Sequence, residues 1–266
     1  MRKLHIHLFF TALALFLCSA CEDSPTQSVI TFSATTTEYE KGSAKTTLDY
    51  SAPLWNAGDK ICVWGSDGVP RHCLTLEHDT MTALFKYETQ PESTVGGPFA
   101  AIYPATAYLS PTRIVIPPSQ KSTTGRLTQA PMYAASGTTD LQFSNLCGVV
   151  LLRLTGESAK RIYYIILMAD RSINGEFDLV ANPDGSPCPQ LSYVSGGSSN
   201  TILLVTNALQ GDGSYAIAIP AGTYNSLSVF LYSIDRTSYS ISLSKGQPIT
   251  IEQNTIVPFA IHDVAF

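Results

Sequence analysis

From residue 29 to residue 261 the chain is written in short apolar runs that alternate with small or polar residues and break at Gly, Pro, Asn or Asp. Alternation with period two gives an extended strand one apolar face and one wet face, and the 3.6-residue period of a buried helix is almost missing. Ile30, Phe32 and Ala34 alternate with Thr31, Ser33 and Thr35, and Thr46, Leu48 and Tyr50 alternate in the same way. Gly58-Asp59 marks a turn before Ile61 and Val63, with Trp55 and Trp64 expected to cap the core on either side. After Leu141 the strand candidates come at short intervals: 149–154, 162–168, 176–179, 202–206, 215–219, 227–234, 239–243 and 248–251. Turn clusters such as Asn182-Pro183-Asp184-Gly185 and Gly211-Asp212-Gly213 separate them. The expectation is an all-β protein made of β-sandwiches. At 266 residues the chain exceeds the ~100–150 of one ordinary domain, so two tandem domains are expected, 29–139 and 140–266.

Upstream of the strands, Arg2 and Lys3 precede an apolar run at 8–17, the layout of a signal-peptide core and too short to span a bilayer. Ser19 and Ala20 before Cys21 resemble the lipobox of bacterial lipoproteins, with Cys18 standing where that motif usually has leucine. The resemblance implies a lipoprotein signal peptide at 1–20, a diacylated Cys21 as the first mature residue, and a polar tether at 21–28. An ordinary signal peptide cut after Ala20 is the other reading. Glu22 and Asp23 resemble the signal that sends lipoproteins of Bacteroidota to the outer face of the outer membrane. Lipid alone would then anchor the protein, since no second apolar segment reaches ~18 residues.

The formal charge is −5, and a leader carrying Arg2 and Lys3 makes the remainder more acidic, so a basic surface for nucleic acid is not expected. Besides Cys18 and Cys21 there are four cysteines, Cys62, Cys73, Cys147 and Cys188. An even set in an exported chain invites disulfides, with Cys62 and Cys73 able to clasp neighbouring strands, although four cysteines allow three connectivities. None of these four makes a C-x-x-C pair and His72, His78 and His262 stand apart in polar or terminal contexts, so no metal or other cofactor is expected. Asp59, Asp184 and Asp212 each adjoin glycine, where turn formation explains them. With no nucleophile elbow, phosphate loop or zinc-protease helix, the chain does not read as an enzyme.

Several ordered fragments carry a family resemblance. Trp55 to Val63 reads W-x-x-G-D-x-I-x-V; Phe99-Ala100-Ala101-Ile102-Tyr103-Pro104, Ile116-Pro117-Pro118-Ser119-Gln120 and Pro131-Met132-Tyr133-Ala134-Ala135 follow. Leu141-Gln142-Phe143-Ser144-Asn145-Leu146 then runs into the apolar stretch 149–154, and Ile173-Asn174-Gly175-Glu176-Phe177 and Ile219-Pro220-Ala221-Gly222-Thr223-Tyr224 come later. Together they resemble the fimbrillins of Bacteroidota, the Mfa-like fimbrial subunits. Read physically, the same motifs are architectural. Tyr103-Pro104 and Ile219-Pro220 end strands, Gly222 supplies a turn angle, and Asn174-Gly175 is expected to make a tight hairpin.

The resemblance implies two transthyretin-like β-sandwich domains and assembly by strand exchange with other fimbrial subunits. In that scheme the removable first strand holds Ile30, Phe32 and Ala34, and the C-terminal strand donates Val257, Phe259 and Ile261, with Pro258 restricting it to an edge. Stalk subunits of the family are cut after an arginine. No arginine lies between Cys21 and Trp55, which leaves Lys41 and Lys45 as candidate processing positions. That departure, with a length short for a stalk subunit, tilts the expectation toward an anchor, tip or accessory subunit supporting adhesion. The competing expectation is a surface lipoprotein that never polymerises and captures a glycan or host ligand, with Tyr108, Tyr193 and Tyr239 as ring-stacking candidates.

Overall fold

The computed structural model describes residues 28–41, 53–89, 95–123, 126–127, 130–194, 196, 199–206 and 213–264. The leader, Cys21, the tether and Lys45 lie outside these residues, as does the side chain of Lys41. Twenty-three strands and two short 3-10 turns make up the described secondary structure. The first six strands are β1 (Ser28–Thr36), β2 (Glu40–Lys41), β3 (Lys60–Trp64), β4 (Arg71–Leu74), β5 (Thr82–Thr89) and β6 (Phe99–Tyr103). Next come β7 (Tyr108–Ser110), β8 (Arg113–Ile116), β9 (Ser119–Thr123), β10 (Arg126–Leu127), β11 (Met132–Ser136) and β12 (Asp140–Asn145). The second half holds β13 (Cys147–Leu154), β14 (Ile162–Ala169), β15 (Gly175–Val180), β16 (Gln190–Tyr193), β17 (Thr201–Val205) and β18 (Ser214–Pro220). The chain closes with β19 (Gly222–Tyr224), β20 (Leu227–Ser233), β21 (Ser238–Ser242), β22 (Ile249–Ile251) and β23 (Thr255–Ile261). The protein is all-β, as the alternating pattern implies.

Seven strands close into a barrel in the order β1-β12-β11-β6-β3-β4-β5. Closure removes the exposed ladder edges that an open sheet would leave. Trp55 fills the interior: it is 1% exposed and its ring meets Phe85, Tyr103 and Phe143 edge-on at centroid distances of 5.0, 5.1 and 5.4 Å. Its Nε1 donates to the Ala34 carbonyl at 2.9 Å, so the interior ring also holds the first strand. Trp64 sits on the outer side instead, packed on Tyr108 and joined there by Ile102, Ile114, Ile116 and Phe177. The two tryptophans therefore serve different layers, because Ile61 and Val63 face inward while Cys62 and Trp64 face outward on the same strand.

The second half is a sandwich. A six-stranded sheet, β10-β9-β17-β14-β20-β21, faces a four-stranded one, β18-β13-β23-β2, around a core that includes Leu152, Ile165, Leu167, Ile217 and Leu231. A third sheet, β16-β15-β8-β7, supplies Ile114, Ile116 and Phe177 to the layer beneath Trp64. The expected dividing line at 139/140 falls between β11 and β12, which are neighbours in the barrel, while β8 and β9 pair with β15 and β17 of the second half. Asn174-Gly175 does not make a hairpin. Asn174 forms an isolated bridge to Ser199, and Gly175, at φ +99°, starts a strand that leaves the sheet of β14 for that of β8. Gly222 does supply the positive angle expected of it, at φ +155°.

Truncating Trp55 to alanine removes the barrel's central ring and the hydrogen bond to Ala34. Trp55→Ala is expected to cost about 3–5 kcal/mol, read as a lower urea midpoint in tyrosine fluorescence or circular dichroism. A midpoint shift too small to resolve would contradict the placement of this ring in the interior.

Candidate functional site

The two terminal strands are the elements on which an assembly function would act. β1 occupies a place in the barrel wall between β12 and β5, and it pairs in parallel with β12 from Ser33↔Asp140 to Thr36↔Phe143. Phe32 and Ala34 are fully buried, whereas Ile30 is half-buried. β23 pairs in parallel with β13 from Val149↔Ile256 to Leu154↔Ile261. Its other edge meets only β2, through Glu40↔Thr255 and Lys41↔Ile256. From Val257 onward that edge has no strand neighbour among the described residues. Val257 and Phe259 lie half-buried against the sandwich core and Ile261 is buried in it, so the three alternate positions face inward together.

A pair of amides joins these elements. Asn145, at the end of β12, is fully buried and donates from Nδ2 to Oδ1 of Asn254 at 2.7 Å. Asn254 opens β23 in the left-handed region, at φ +60°, where asparagine is better tolerated than most side chains. Its Nδ2 donates to the Glu38 carbonyl at 3.1 Å, and its own carbonyl accepts from the Glu40 amide at 2.8 Å. The segment leaving β1 is thus fastened to the start of β23. Sequence inspection places Asn145 within a motif but gives no signal for its partner more than a hundred residues away.

The four cysteines are free thiols. The expected bridge between Cys62 and Cys73 is overturned by strand register. Ile61 lies opposite Cys73 and Cys62 lies opposite His72, so the two cysteines project to opposite faces of the β3–β4 pair. Burial pushes the thiols of Cys62 and Cys73 up to about 12 and that of Cys188 up to about 11. Thiolate, the reactive form, is therefore scarce near neutral pH.

A cavity of about 360 Å³ opens beside the start of β3, lined by Asp59, Lys60, His72 and Tyr103 among others. Asp59 closes the turn before β3, accepting from the Asn56 amide at 2.8 Å and from Tyr103 Oη at 3.1 Å. Burial raises its pKa, and these hydrogen bonds oppose the rise. The aspartate of the W-x-x-G-D motif is thus a turn former, as its glycine neighbour suggests. His72, His78 and His262 are all exposed and lie on separate elements. Among the described residues no group of three or more His, Cys, Asp or Glu side chains gathers in a way that could hold a metal ion. The candidate tyrosines are dispersed: Tyr108 packs on Trp64, Tyr193 contacts Phe177 with centroids 6.4 Å apart, and Tyr239 lies half-buried against the sandwich core.

No protein-family model and no curated protein matches the chain. Solved structures do. A candidate cell adhesion protein from Bacteroides ovatus ATCC 8483 matches over 88% of this chain and 92% of that one, with a TM-score of 0.53 and 12% identity. Another from Bacteroides uniformis ATCC 8492 matches over the same shares, with a TM-score of 0.52 and 10% identity. This chain shares their fold. The tip fimbrial protein Mfa3 from Porphyromonas gingivalis, with C-terminal truncation, covers 90% of this chain at a TM-score of 0.39, too distant to carry a role across. The shared fold agrees with the fimbrillin-like resemblance seen in the motifs.

Because the thiols of Cys62, Cys73 and Cys147 are free and buried, iodoacetamide at pH 8 is expected to leave the peptides that contain them unlabelled in the native protein. All four cysteine peptides should label after denaturation without any reductant. A peptide pair linked through Cys62 and Cys73 would restore the disulfide.

Proposed function

We propose that this chain is a fimbrillin-like adhesion protein of the cell surface, anchored to the outer membrane through lipid on Cys21, that joins other fimbrial subunits by exchanging a terminal strand. The observation that carries this reading is the outer edge of β23, which among the described residues meets only β2, Glu40 and Lys41. An extended strand held on one side offers its unused amides and carbonyls to another chain, while alternate side chains supply specificity. Val257, Phe259 and Ile261 already form such an alternating set, seated in this chain's own core. Loss of β1 would vacate a place between β12 and β5 that Phe32 and Ala34 fill. Each subunit could then give a strand at one end and receive one at the other, a head-to-tail contact that extends without closing.

The stretch between β1 and Trp55 has lysines at 41 and 45 and no arginine. That supports a subunit which keeps its lipid, in an anchor, tip or accessory position. Shared fold with Bacteroides adhesion candidates supports a surface role and says nothing of catalysis.

Two measurements on protein taken from outer membranes test the reading. Intact mass with N-terminal peptide mapping is expected to show an acylated Cys21. Unboiled gels are expected to show multimers that vanish when residues 255–266 are deleted, or when Val257 and Phe259 are both replaced by arginine. An unacylated terminus at Cys21 would sink the anchor, and a ladder that survives both changes would sink the donor strand. Trimming after Lys41 or Lys45 together with a ladder would make the protein a stalk subunit.

A further inference from the structure

The outer face of the six-stranded sheet carries a cluster that nothing in strand exchange requires. On β14 and β20 alternate residues, including Ile165, Leu167, Val229 and Leu231, enter the sandwich core. The opposite set faces outward, and on these two central strands it includes Tyr164, Ile166, Phe230 and Tyr232, all half-buried. Tyr164 lies directly across from Tyr232, and the rings stack at 4.5 Å with their planes 20° apart. An irregularity in the register between Ile162 and Tyr164 adds a third phenol. Tyr163 is the extra residue there, 51% exposed, with its ring edge-on to Tyr164 at 5.9 Å. Strict alternation would have sent Tyr163 and Tyr164 to opposite faces. A bulge re-aims a side chain in just this way, and bulges recur where proteins build sites.

The surroundings of the cluster select the chemistry of a partner. No outward position on the four strands β14, β17, β20 and β21 is charged, the nearest charge on this face being Lys121 of β9, and β21 presents serine at 238, 240 and 242. Beyond the strand ends, Arg161 and Asp235 pair with each other. Lys121 stands in the same row as Tyr164 but two strands away, across Val205, so no charge borders the rings directly, and an anionic ligand is opposed by a chain of net charge −5. A purely apolar partner would strand the phenol and serine hydroxyls without acceptors or donors. A neutral sugar matches both properties: its C–H faces lie against aromatic rings and its hydroxyls exchange hydrogen bonds with the phenols and serines. We propose that Tyr163, Tyr164 and Tyr232 form a docking platform for a neutral glycan. The site is independent of β1 and β23, so it stands whether or not the protein polymerises.

Native gel electrophoresis through soluble polysaccharides tests this with the full chain. Dextran, yeast mannan and xyloglucan serve as neutral probes, with hyaluronan and polygalacturonate as acidic ones. At least one neutral probe is expected to retard the protein, with the apparent affinity falling tenfold or more in the Tyr164→Ala, Tyr232→Ala double variant. The Tyr193→Ala variant should behave as the parent, and circular dichroism checks that each variant is folded. Retardation by none of the neutral probes, by the acidic ones only, or equally in parent and double variant overturns the proposal. So does a dimer seen by light scattering that Tyr232→Ala splits, which would assign the face to a second copy of this chain.

Discussion

The hydrogen bond between Asn145 and Asn254 is the constraint on which the arrangement of the termini depends. On the Asn145 side it is fully buried, where an amide left without its partner costs about 1–3 kcal/mol. Around it, Asn254 also receives the Glu40 amide and reaches the Glu38 carbonyl. The end of the barrel, the exit from β1 and the entry to β23 are therefore fixed by one small polar group. Disturbing the entry to β23 takes from the buried Asn145 amide its 2.7 Å partner. The segment leaving β1 and the start of β23 are physically linked through this contact.

A second consequence concerns β13. Six of its first seven positions are apolar or small, and it is buried on both faces, with Val150 and Leu152 toward the sandwich core and Val149 and Leu151 toward Tyr39 and Ile256. Gly148 is there for space: a Cβ would stand 2.3 Å from the Glu252 carbonyl oxygen, so the turn into β23 can cross only a glycine. Tyr39, which covers the outer face, lies in the short link between β1 and β2. The cover of the central strand is thus drawn from the same segment that the amide pair holds.

These relations explain what could be read from the chain and what could not. Most strands of the second half were legible to within a residue or two, although β16 and β19 were not, because alternation is a local property and Asn182-Pro183-Asp184-Gly185 turns where expected, with the Gly185 amide bonded to the Asn182 carbonyl. The continuous apolar run at 149–154 was legible as a buried strand for the same reason. Register was not. A one-residue difference in pairing sends Cys62 and Cys73 to opposite faces, and nothing in their spacing records it. Asn174-Gly175 carries a hairpin signature, yet the chain uses its angles to change sheets. The tyrosine cluster escaped for a related reason, since a bulge breaks the alternation from which facing is inferred. Tyr108, Tyr193 and Tyr239 were conspicuous by sequence context and lie apart in space.

Both terminal strands are parallel partners of one continuous stretch. β1 lies along β12 and β23 lies along β13, and only Leu146 separates β12 from β13. Parallel neighbours cannot be joined by a tight hairpin, so each terminal strand is held by its ladder and its side chains, with no short covalent link to the strand beside it. Such a strand can leave without dragging its neighbour out of the sheet. Leaving does uncover apolar surface: Phe32 and Ala34 at one end, Val257, Phe259 and Ile261 at the other. In the proposed exchange an incoming strand of the same pattern would re-cover that surface and form a ladder of the same kind, replacing like interactions with like. The main cost is the amide pair and the few bonds of β2, which lie at the junction of the two terminal strands.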